Sequence, residues 1–283
     1  MYIIVPVHNR SKITNDFVDC LIKQTYSKYH LLLVDDGCKD DTVASVSNKI
    51  KNLTIIKGDG NLWWAGAVQL GFEWLFKNSV NDNEIILVTN DDIIFNEKYL
   101  ENAIREMEKA YNSFLIASYK NTAKPDVLFS LNENTGKFIN KSDTNFVPNC
   151  FSMNSVFFRF KYLYSIGTMK PKILPHYLAD IEFSFRAMKK GYKVIQHNNL
   201  QIYRIKETTG IHDVSKAKKL ELLKSIFSNK YTGNPIHWTY FFYLTVKRKY
   251  LIFIVLYFWV KLILKISLIL FKFIKKKQSN TRL

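Results

Sequence analysis

The adjacent aspartates Asp91 and Asp92 are the part of the sequence best suited to chemistry. The pair directly follows the apolar run at 85–89. Two neighbouring carboxylates repel each other unless a cation neutralises them. Mg²⁺ or Mn²⁺ is commonly held by one or two carboxylates together with the phosphates of a substrate. The pair is therefore a candidate site for Mn²⁺ or Mg²⁺, and an ordinary turn or helix cap is the alternative.

Three further positions carry polar groups that suit a nucleotide or an acceptor. His8 follows the first apolar run, and Asp36 follows the second and precedes Gly37. A strand-end carboxylate can accept a hydrogen bond from the N3–H of uracil or thymine, and glycine lets the chain turn sharply away. Asp180 opens a helical segment, where it can take a proton from an attacking hydroxyl. The alternatives are a turn for Asp36, a surface or core histidine for His8, and a helix cap stabilised by the helix dipole for Asp180.

The elements that must position these groups alternate between strands and helices. Apolar runs bounded by polar residues or glycine predict buried strands, and segments with helical periodicity lie between them. Strands are predicted at 2–7, 31–35, 53–57, 85–89 and 114–118, and helices at 15–24, 41–51, 64–77 and 97–111. This order predicts an α/β fold with a mostly parallel central sheet and helices on both faces. Ligands of such sheets bind beyond the carboxyl ends of the strands, where the candidate residues stand.

The second half of the chain follows a different pattern. Asn, Thr, Ser and Gly are frequent from about 120 to 160, and the turn signal at 132–136 predicts short strands and a hairpin. A helix is predicted at 179–190, ended by Gly191, and a strand follows at 192–196. No internal repeat or linker interrupts these elements, so residues 1–225 are predicted to form one domain.

The remaining residues, 226–283, form a basic and apolar tail. Twelve Lys and Arg residues and no acid follow Glu221, which leaves only +5 of the net charge of +17 for the preceding part. The basic charge therefore belongs to the tail, and nucleic acid is not expected as a partner. Within the apolar stretch at 251–274, Lys261 and Lys265 would each cost about 2.5–3.5 kcal/mol inside a bilayer. We predict amphipathic helices that lie on a membrane surface with anionic lipids; packing of the tail on the domain is the alternative.

The cysteines and the first residues predict a location. Cys20, Cys38 and Cys150 are odd in number and far apart, so they suggest neither a disulfide framework nor a paired-cysteine metal site. An apolar strand begins almost at once, without the charged region and cleavage site of a signal peptide. These features predict a cytoplasmic location. The tail further predicts that the protein is attached to the cytoplasmic face of the cell membrane, as a peripheral or monotopic protein.

Four separated motifs together resemble one known family. They are V-P-V-H-N-R from Val5, L-V-D-D-G-C-K-D-D-T from Leu33, T-N-D-D from Thr89 and A-D-I-E-F-S-F-R-A-M-K-K-G-Y-K-V from Ala179. In this order and spacing they resemble the family 2 inverting glycosyltransferases of the GT-A fold, of the type that builds bacterial cell-surface polysaccharides. The resemblance covers roughly residues 1–200. It implies a Rossmann-like nucleotide-sugar-binding half at 1–120 and an acceptor half at 121–225.

The resemblance also implies a role for each candidate residue. The residues implied at the nucleotide-sugar site are Pro6, His8, Arg10, Asp36, Trp64 and Asp91. Asp92 is implied as the principal metal ligand with Asp91 beside it, and Asp180 as the general base. The implied reaction is a single inverting displacement, in which Asp180 deprotonates an acceptor hydroxyl and the metal neutralises the departing nucleoside diphosphate. Trp63 and Trp64 could offer apolar faces to a sugar ring or simply pack in the core.

Three features depart from the family pattern. Asn90 stands where many members have the first acid of the metal-binding motif, and Val68 stands where an arginine often faces the diphosphate. At 202–204 the sequence Ile-Tyr-Arg replaces a Tyr-His pair that is frequent in the family. Arg204 and His212 are therefore the alternative contacts to phosphate or metal.

The implied enzyme transfers a hexosyl or deoxyhexosyl group from a UDP- or dTDP-sugar. The tail favours a saccharide acceptor linked to a polyprenyl diphosphate, as in surface polysaccharide synthesis. A nucleotidyltransferase is the nearest enzymatic alternative, but it ordinarily has a Gly-rich loop and a lysine after the first strand, and neither stands at 6–10. A catalytically inactive membrane-bound scaffold is the alternative from another class, and the acids kept at strand ends argue against it.

Overall fold

The computed structural model of the protein describes residues 1–120, 127–139, 141–144, 146–205 and 225–280, with side chains described up to residue 268. The strands are β1 (Tyr2–Val7), β2 (His30–Asp35), β3 (Leu53–Lys57), β4 (Ile85–Thr89), β5 (Ile93–Phe95), β6 (Ser113–Tyr119), β7 (Leu128–Leu131), β8 (Phe138–Ile139), β9 (Cys150–Phe151), β10 (Ser155–Arg159) and β11 (Lys193–Arg204). The helices are α1 (Ser11–Ile22), α2 (Thr42–Lys49), α3 (Trp63–Lys77), α4 (Tyr99–Lys109), α5 (Tyr162–Ile166), α6 (Ala179–Lys189), α7 (Pro235–Thr245) and α8 (Arg248–Asn280).

Eight strands form one sheet in the order β3-β2-β1-β4-β10-β6-β11-β5. β1 pairs in parallel with β2 and with β4, β2 pairs in parallel with β3, and β6 with β11. β10 is antiparallel to both β4 and β6, and β5 is antiparallel to β11. The prediction of a mostly parallel sheet is confirmed. The carboxyl ends of β1, β2 and β4 consequently meet at one edge.

Helices cover both faces of this sheet, as the sequence predicts. Successive residues of a strand point to opposite faces. In β2, Leu32 and Val34 join the core under α3 and α6, whereas Leu31 and Leu33 join the core under α1, α2 and α4. All four side chains are fully buried. Burial of each contributes about 1.5–3 kcal/mol to folding, and this anchors the strand whose end carries Asp36.

Among the elements that differ from those predicted are α1, β5 and β11. α1 begins at Ser11 rather than at residue 15, because its first turn is largely polar and does not show the apolar period. β5 has three residues, too few to display an alternation. β11 extends to Arg204 rather than 196, since an irregularity between Gln196 and Gln201 breaks the period of two that marks a strand.

A small antiparallel sheet carries the hairpin predicted around 132–136. β7 pairs with β8 on one side and with β9 on the other. Gly136 in the turn has a φ of +67°, and a Cβ atom there would lie 2.9 Å from the ring of Phe242 in α7. Glycine is therefore required both by the left-handed backbone and by the close approach of α7.

The two C-terminal helices form a layer on the domain. Phe241 and Phe242 of α7 are buried in the core shared with α3 and α6. α8 packs on α7, with the rings of Phe242 and Phe258 at a centroid distance of 5.5 Å. By length and composition, Arg248–Leu268 could cross a membrane, with 21 residues and a mean hydropathy of 2.2. The domain boundary at 225 stays a prediction, and residues 206–224 beside it lie outside the described part.

Candidate active site

A cavity of about 240 Å³ opens where β1 and β2 end. Five of the predicted site residues line it: Pro6, His8, Arg10, Asp36 and Trp64. The first three belong to β1 and the turn after it, Asp36 follows β2, and Trp64 lies in the first turn of α3. Because Val7 lies opposite Asp35 in the parallel register, the two strand ends stand side by side. The pairing of β1 with β2 thus brings together residues that are far apart in the sequence.

The Asp36 carboxylate holds the wall of this cavity in place. Its Oδ1 accepts the backbone N–H groups of Gly60 and Leu62 at 2.9 and 3.1 Å, and its Oδ2 accepts that of Trp63 at 3.1 Å. A carboxylate has about four lone-pair sites, so one on Oδ2 stays available to a ligand. On the other side, the His8 Nδ1–H donates to the backbone carbonyl of Asp36. Asp36 therefore connects β1, β2 and the start of α3.

Asp91 is buried and is held by Arg10 and Thr14. The Arg10 guanidinium donates to Asp91 Oδ1 at 2.9 Å, and the Thr14 hydroxyl donates to Oδ2 at 2.7 Å. Burial raises the pKa of Asp91 to about 6, while Arg10 and Thr14 act to lower it and the charge of Asp92 raises it further. Both carboxylate oxygens of Asp91 therefore have protein partners before any ligand arrives.

Asp92 is 5% exposed, and its two carboxylate oxygens differ in their surroundings. Among the described residues, nothing hydrogen-bonds to its Oδ1. Its Oδ2 lies 4.0 Å from an Arg10 guanidinium nitrogen and 3.5 Å from Arg204 Nε. A buried polar atom left unpaired costs about 1–3 kcal/mol, and more when it is charged. A hard cation would satisfy this oxygen, so Asp92 fits the ligand chemistry of Mn²⁺ or Mg²⁺ better than Asp91 does.

The protein itself supplies few ligands for such a cation. Within the described ranges, no group of three or more His, Cys, Asp and Glu side chains could hold a metal ion. Mg²⁺ commonly takes only one or two carboxylates and completes its shell with substrate phosphates and water. The pair at Asp91 and Asp92 therefore suits a cation that is shared with a diphosphate.

Asp180 stands in the first turn of α6, directly after a strained segment of backbone. Leu178 has a φ of +70°, which a residue with a side chain rarely adopts. The Asp180 Oδ1 accepts the Ile181 N–H at 2.9 Å, and its Oδ2 accepts the Met153 N–H at 3.4 Å. Burial raises the pKa of Asp180 above its ordinary value, although these hydrogen bonds act in the opposite direction. A raised pKa makes an ionised carboxylate a better proton acceptor near neutral pH.

One short loop connects Asp180 with the end of β4. Met153 contacts Asp180, and the next residue, Asn154, accepts the backbone N–H of Asn90 at 3.0 Å. Because consecutive Cα atoms are about 3.8 Å apart, Asp180 and Asn90 flank the same loop. The Asn90 Oδ1 also accepts the indole N–H of Trp64 at 2.8 Å. Asn90 thus bridges the cavity wall and the loop beside Asp180.

The neighbouring acid Glu182 has a structural role. The Lys170 ammonium lies 2.7 Å from its Oε1, and the Arg186 guanidinium donates to Oε1 and Oε2 at 3.0 and 2.9 Å. Arg186 donates in addition to the backbone carbonyls of Ile166 and Thr168. Glu182 is therefore committed to fastening α6 to the segment before it, which leaves Asp180 as the acid that the first turn of α6 offers to a ligand.

His176 and Lys230 also line the cavity, and neither is singled out by the sequence. The His176 and Trp63 rings are 5.8 Å apart. Burial lowers the pKa of His176 to about 4, with a smaller effect from His237, so its imidazole is neutral. No local motif marks either residue, because each reaches the cavity only through tertiary contacts. Arg204 and His212 are the two alternative contacts to phosphate or metal that the sequence suggests. Arg204 lies beside Asp92, and His212 is outside the described residues.

Relatives of the chain are found among glycosyltransferases. Residues 2–166 match the model of the family described as glycosyl transferase family 2. The curated protein "Glycosyltransferase GlyG" of Streptococcus pneumoniae serotype 4 is 25% identical over 130 residues, which make up 44% of this chain and 40% of that protein. The chain therefore spans less than half the length of this curated relative.

Solved structures share the fold. S. aureus TarS 1–349 in complex with UDP-GlcNAc gives a TM-score of 0.57 at 15% identity, covering 85% of this chain and 70% of that one. The mannosyltransferase PcManGT from Pyrobaculum calidifontis, in complex with GDP-Man and Mn²⁺, gives a TM-score of 0.52 at 16% identity. This match covers 74% of this chain and 57% of that one. These likenesses confirm the predicted GT-A fold.

The family match includes β1, β2 and β4, with the residues that line the cavity from Pro6 to Trp64 and the pair at Asp91 and Asp92. It covers more than half of the chain, whereas Asp180 and the tail lie beyond it. The resemblance inferred from the four motifs is thereby confirmed: this chain belongs to glycosyl transferase family 2.

Proposed function

We propose that this chain transfers a hexosyl or deoxyhexosyl group from a nucleoside-diphosphate sugar to an acceptor hydroxyl, with inversion at the anomeric carbon. The observation that carries the proposal is the buried Oδ1 of Asp92, which has no hydrogen-bond partner among the described residues and lies at the strand edge that also holds the Asp36 cavity. The complexes of TarS with UDP-GlcNAc and of PcManGT with GDP-Man support a nucleotide sugar as donor. A UDP- or dTDP-sugar suits Asp36, whose remaining lone pair can accept an N3–H.

In this proposal Asp92 holds Mn²⁺ or Mg²⁺, with Asp91 beside it. A bound divalent ion neutralises the charge that develops on a departing diphosphate. The Mn²⁺ in the PcManGT complex supports a divalent ion in this family fold. Arg10 contacts Asp91 and approaches Asp92, so it keeps the two carboxylates oriented without the ion. Lys230 adds a positive charge at the cavity, where it can attract the donor phosphates.

Asp180 is the proposed general base. It accepts hydrogen bonds from the Met153 and Ile181 N–H groups and from the Ser152 side chain, and these orient the carboxylate without neutralising it. The loop at 153–154 keeps it near the end of β4, so an acceptor hydroxyl beside the donor would come within its reach. The proton of that hydroxyl passes to the Asp180 carboxylate as the oxygen attacks.

An inactive scaffold explains Asp91 and Asp180 less well. Burial raises the pKa of both Asp91 and Asp180, so their ionised forms lower the stability of the fold at neutral pH. This loss is absent at low pH, where both groups are protonated in the folded and unfolded chain. A scaffold has no use for such groups, whereas catalytic sites commonly contain them.

Nucleotide sugars should protect the chain against thermal unfolding, because a donor binds only the folded state. A ligand at a concentration of about a hundred times its dissociation constant stabilises the folded state by about 2.7 kcal/mol. We expect a rise in Tm with a UDP- or dTDP-sugar and Mn²⁺, a smaller rise in EDTA, and none with the free monosaccharide as control. If no nucleotide sugar raises Tm with Mn²⁺ present, the proposed donor site is wrong.

We further propose that α8 lies along the cytoplasmic face of the membrane, peripheral or monotopic, and presents the enzyme to a polyprenyl-diphosphate-linked acceptor. One face of α8, including Tyr250, Ile254 and Phe258, packs on the domain, while Phe253 and Leu256 on the other face are 71% and 61% exposed. Charged residues that cross a bilayer are costly. A helix inserted across the membrane would also take its packing partner α7 into the hydrocarbon, which favours the interfacial position.

The double variant Phe253→Glu and Leu256→Glu should bind vesicles of phosphatidylcholine and phosphatidylglycerol at least about a hundredfold more weakly, because each lost apolar contact contributes about 1.5–3 kcal/mol. Tyr111→Glu is the matched control, since Tyr111 is 82% exposed and lies away from α8. Co-sedimentation of the full chain measures both. Equal binding of the double variant and the control, or protease cleavage of a tag after Leu283 from the far side of a sealed vesicle, would refute the interfacial position.

A further inference from the structure

A second, larger groove shares Trp63 with the cavity as a lining residue. Its volume is about 760 Å³. One wall is a face of α3 that includes Gly66, Gln69 and Glu73, which stand three or four positions apart and so share one side of the helix. The segment 171–175 and the first turns of α7 form the other walls. The Pro175 carbonyl accepts the Ala65 N–H at 2.9 Å and fastens the segment to α3.

The side chains of the groove suit an uncharged, hydroxyl-rich ligand. Its charged groups are Asp59, Glu73 and Lys172, an excess of acid that disfavours phosphate. Amides from three asparagine and glutamine side chains add donors and acceptors: Asn61, Gln69 and Asn229. Sugar hydroxyls can both donate to carboxylates and accept from amides. An anionic ligand would instead require arginine or lysine clusters.

Two groups in this groove have unsatisfied polar atoms. The Gln69 amide donates to Glu73 at 2.8 Å, but its buried Oε1 has no partner among the residues described. His237 is 7% exposed, and its Nδ1 is likewise unpaired within that part of the chain. Buried polar atoms usually have partners, so unpaired ones beside a groove point to bound water or to a ligand that these side chains turn to meet.

The position of the groove connects the cavity with the tail helices. Trp63 lines both the cavity and the groove, so the two adjoin at this residue. At the other end, Ile236 and Tyr240 of α7 line the groove and are 45% and 42% exposed. They belong to the helix on which α8 packs. The groove therefore extends from Trp63 at the cavity to the layer of α7 and α8, where the lipid-linked acceptor is proposed to bind.

We infer that this groove binds the saccharide part of the acceptor, with Tyr240 and Trp63 offering apolar ring faces to sugar C–H groups and Gln69 hydrogen-bonding to a hydroxyl. The inference rests on the proposed transfer reaction, and it adds a second binding site for the substrate that receives the sugar. Binding away from the reacting hydroxyl can orient the acceptor and supply energy for the reaction.

Saturation-transfer NMR of the full chain in detergent micelles tests this inference. The probes are short oligosaccharides of glucose, galactose, N-acetylglucosamine and rhamnose. At least one should bind, and Tyr240→Ala and Gln69→Ala should each weaken it about tenfold. Tyr243→Ala is the matched control, because Tyr243 is another exposed tyrosine of α7, at 51%, and does not line the groove.

Donor hydrolysis by the same variants separates the inference from the proposed function. We expect wild-type hydrolysis of the nucleotide sugar in Tyr240→Ala and Gln69→Ala, because neither residue lines the donor cavity. Absence of binding by every probe, or equal binding by the groove variants and Tyr243→Ala, would overturn the inference while leaving donor chemistry intact. Saccharide binding without donor hydrolysis would instead support the groove and contradict the proposed function.

Discussion

Replacing Asp92 with Asn should reduce divalent-dependent sugar transfer by at least about 10³-fold. The amide keeps the shape of the side chain but holds a cation far more weakly than a carboxylate does. Stabilisation of the leaving diphosphate by a metal is worth several kcal/mol, and each 1.36 kcal/mol is a factor of ten in rate. The free energy of unfolding should change by less than about 1 kcal/mol, because the substitution also relieves repulsion with Asp91.

Initial rates with Mn²⁺ and urea unfolding of the same preparations measure the two effects. Asp41→Asn is the matched control, since Asp41 is an exposed acid near the same sheet edge whose side chain makes no capping hydrogen bond. It should retain the wild-type rate. Near-normal transfer by Asp92→Asn, or full wild-type activity in EDTA, would show that Asp92 is not a metal ligand that the reaction needs.

Asp180→Asn should lower kcat by about 10²–10⁴-fold while leaving the affinity for the donor unchanged. General base catalysis typically contributes a factor of this size. The amide retains the shape and the acceptor oxygen that faces the Met153 N–H, but it cannot take a proton. Single-turnover transfer and equilibrium binding of the nucleotide sugar measure the two quantities. Loss of donor affinity with residual transfer would instead make Asp180 a binding residue.

The pH profile and Glu182→Gln provide the controls for this assignment. A base must be ionised, and burial raises the pKa of Asp180 above the usual 3.8, so kcat should fall with decreasing pH at a higher pH than an exposed aspartate would cause. Glu182→Gln should lower the stability, because Lys170 and Arg186 lose a buried charged partner. The kcat of the folded fraction should stay near the wild-type value.

The sheet edge and the residues along it can be predicted from the sequence, because each buried parallel strand appears as a local apolar run. The runs at 2–7, 31–35 and 85–89 coincide with β1, β2 and β4 to within one residue. A strand buried on both faces needs an unbroken apolar run, and polar residues can return only where it ends. Because β1, β2 and β4 are parallel, their carboxyl ends lie at the same edge of the sheet, and Asp36 and Asp92 are placed there.

The contacts around these residues follow from tertiary structure and leave no local pattern. The sequence does not indicate that Arg10 would hold Asp91, or that Asn90 would bridge Trp64 and the loop beside Asp180. Nor does it mark His176, which reaches the cavity from the segment before α6. The antiparallel β10 between β4 and β6 is similarly hidden, because its five residues lie in a region rich in turn formers.

Release of nucleoside diphosphate from UDP- and dTDP-sugars by the full chain tests metal-dependent sugar transfer most directly. The assay needs no knowledge of the acceptor, because water can replace it slowly. With Mn²⁺, we expect release from at least one donor by the wild-type chain, loss of that release in EDTA, and a comparable loss in Asp92→Asn but not in Asp41→Asn. Release that is unaffected by EDTA and by Asp92→Asn, or no release from any donor, would contradict the proposed function.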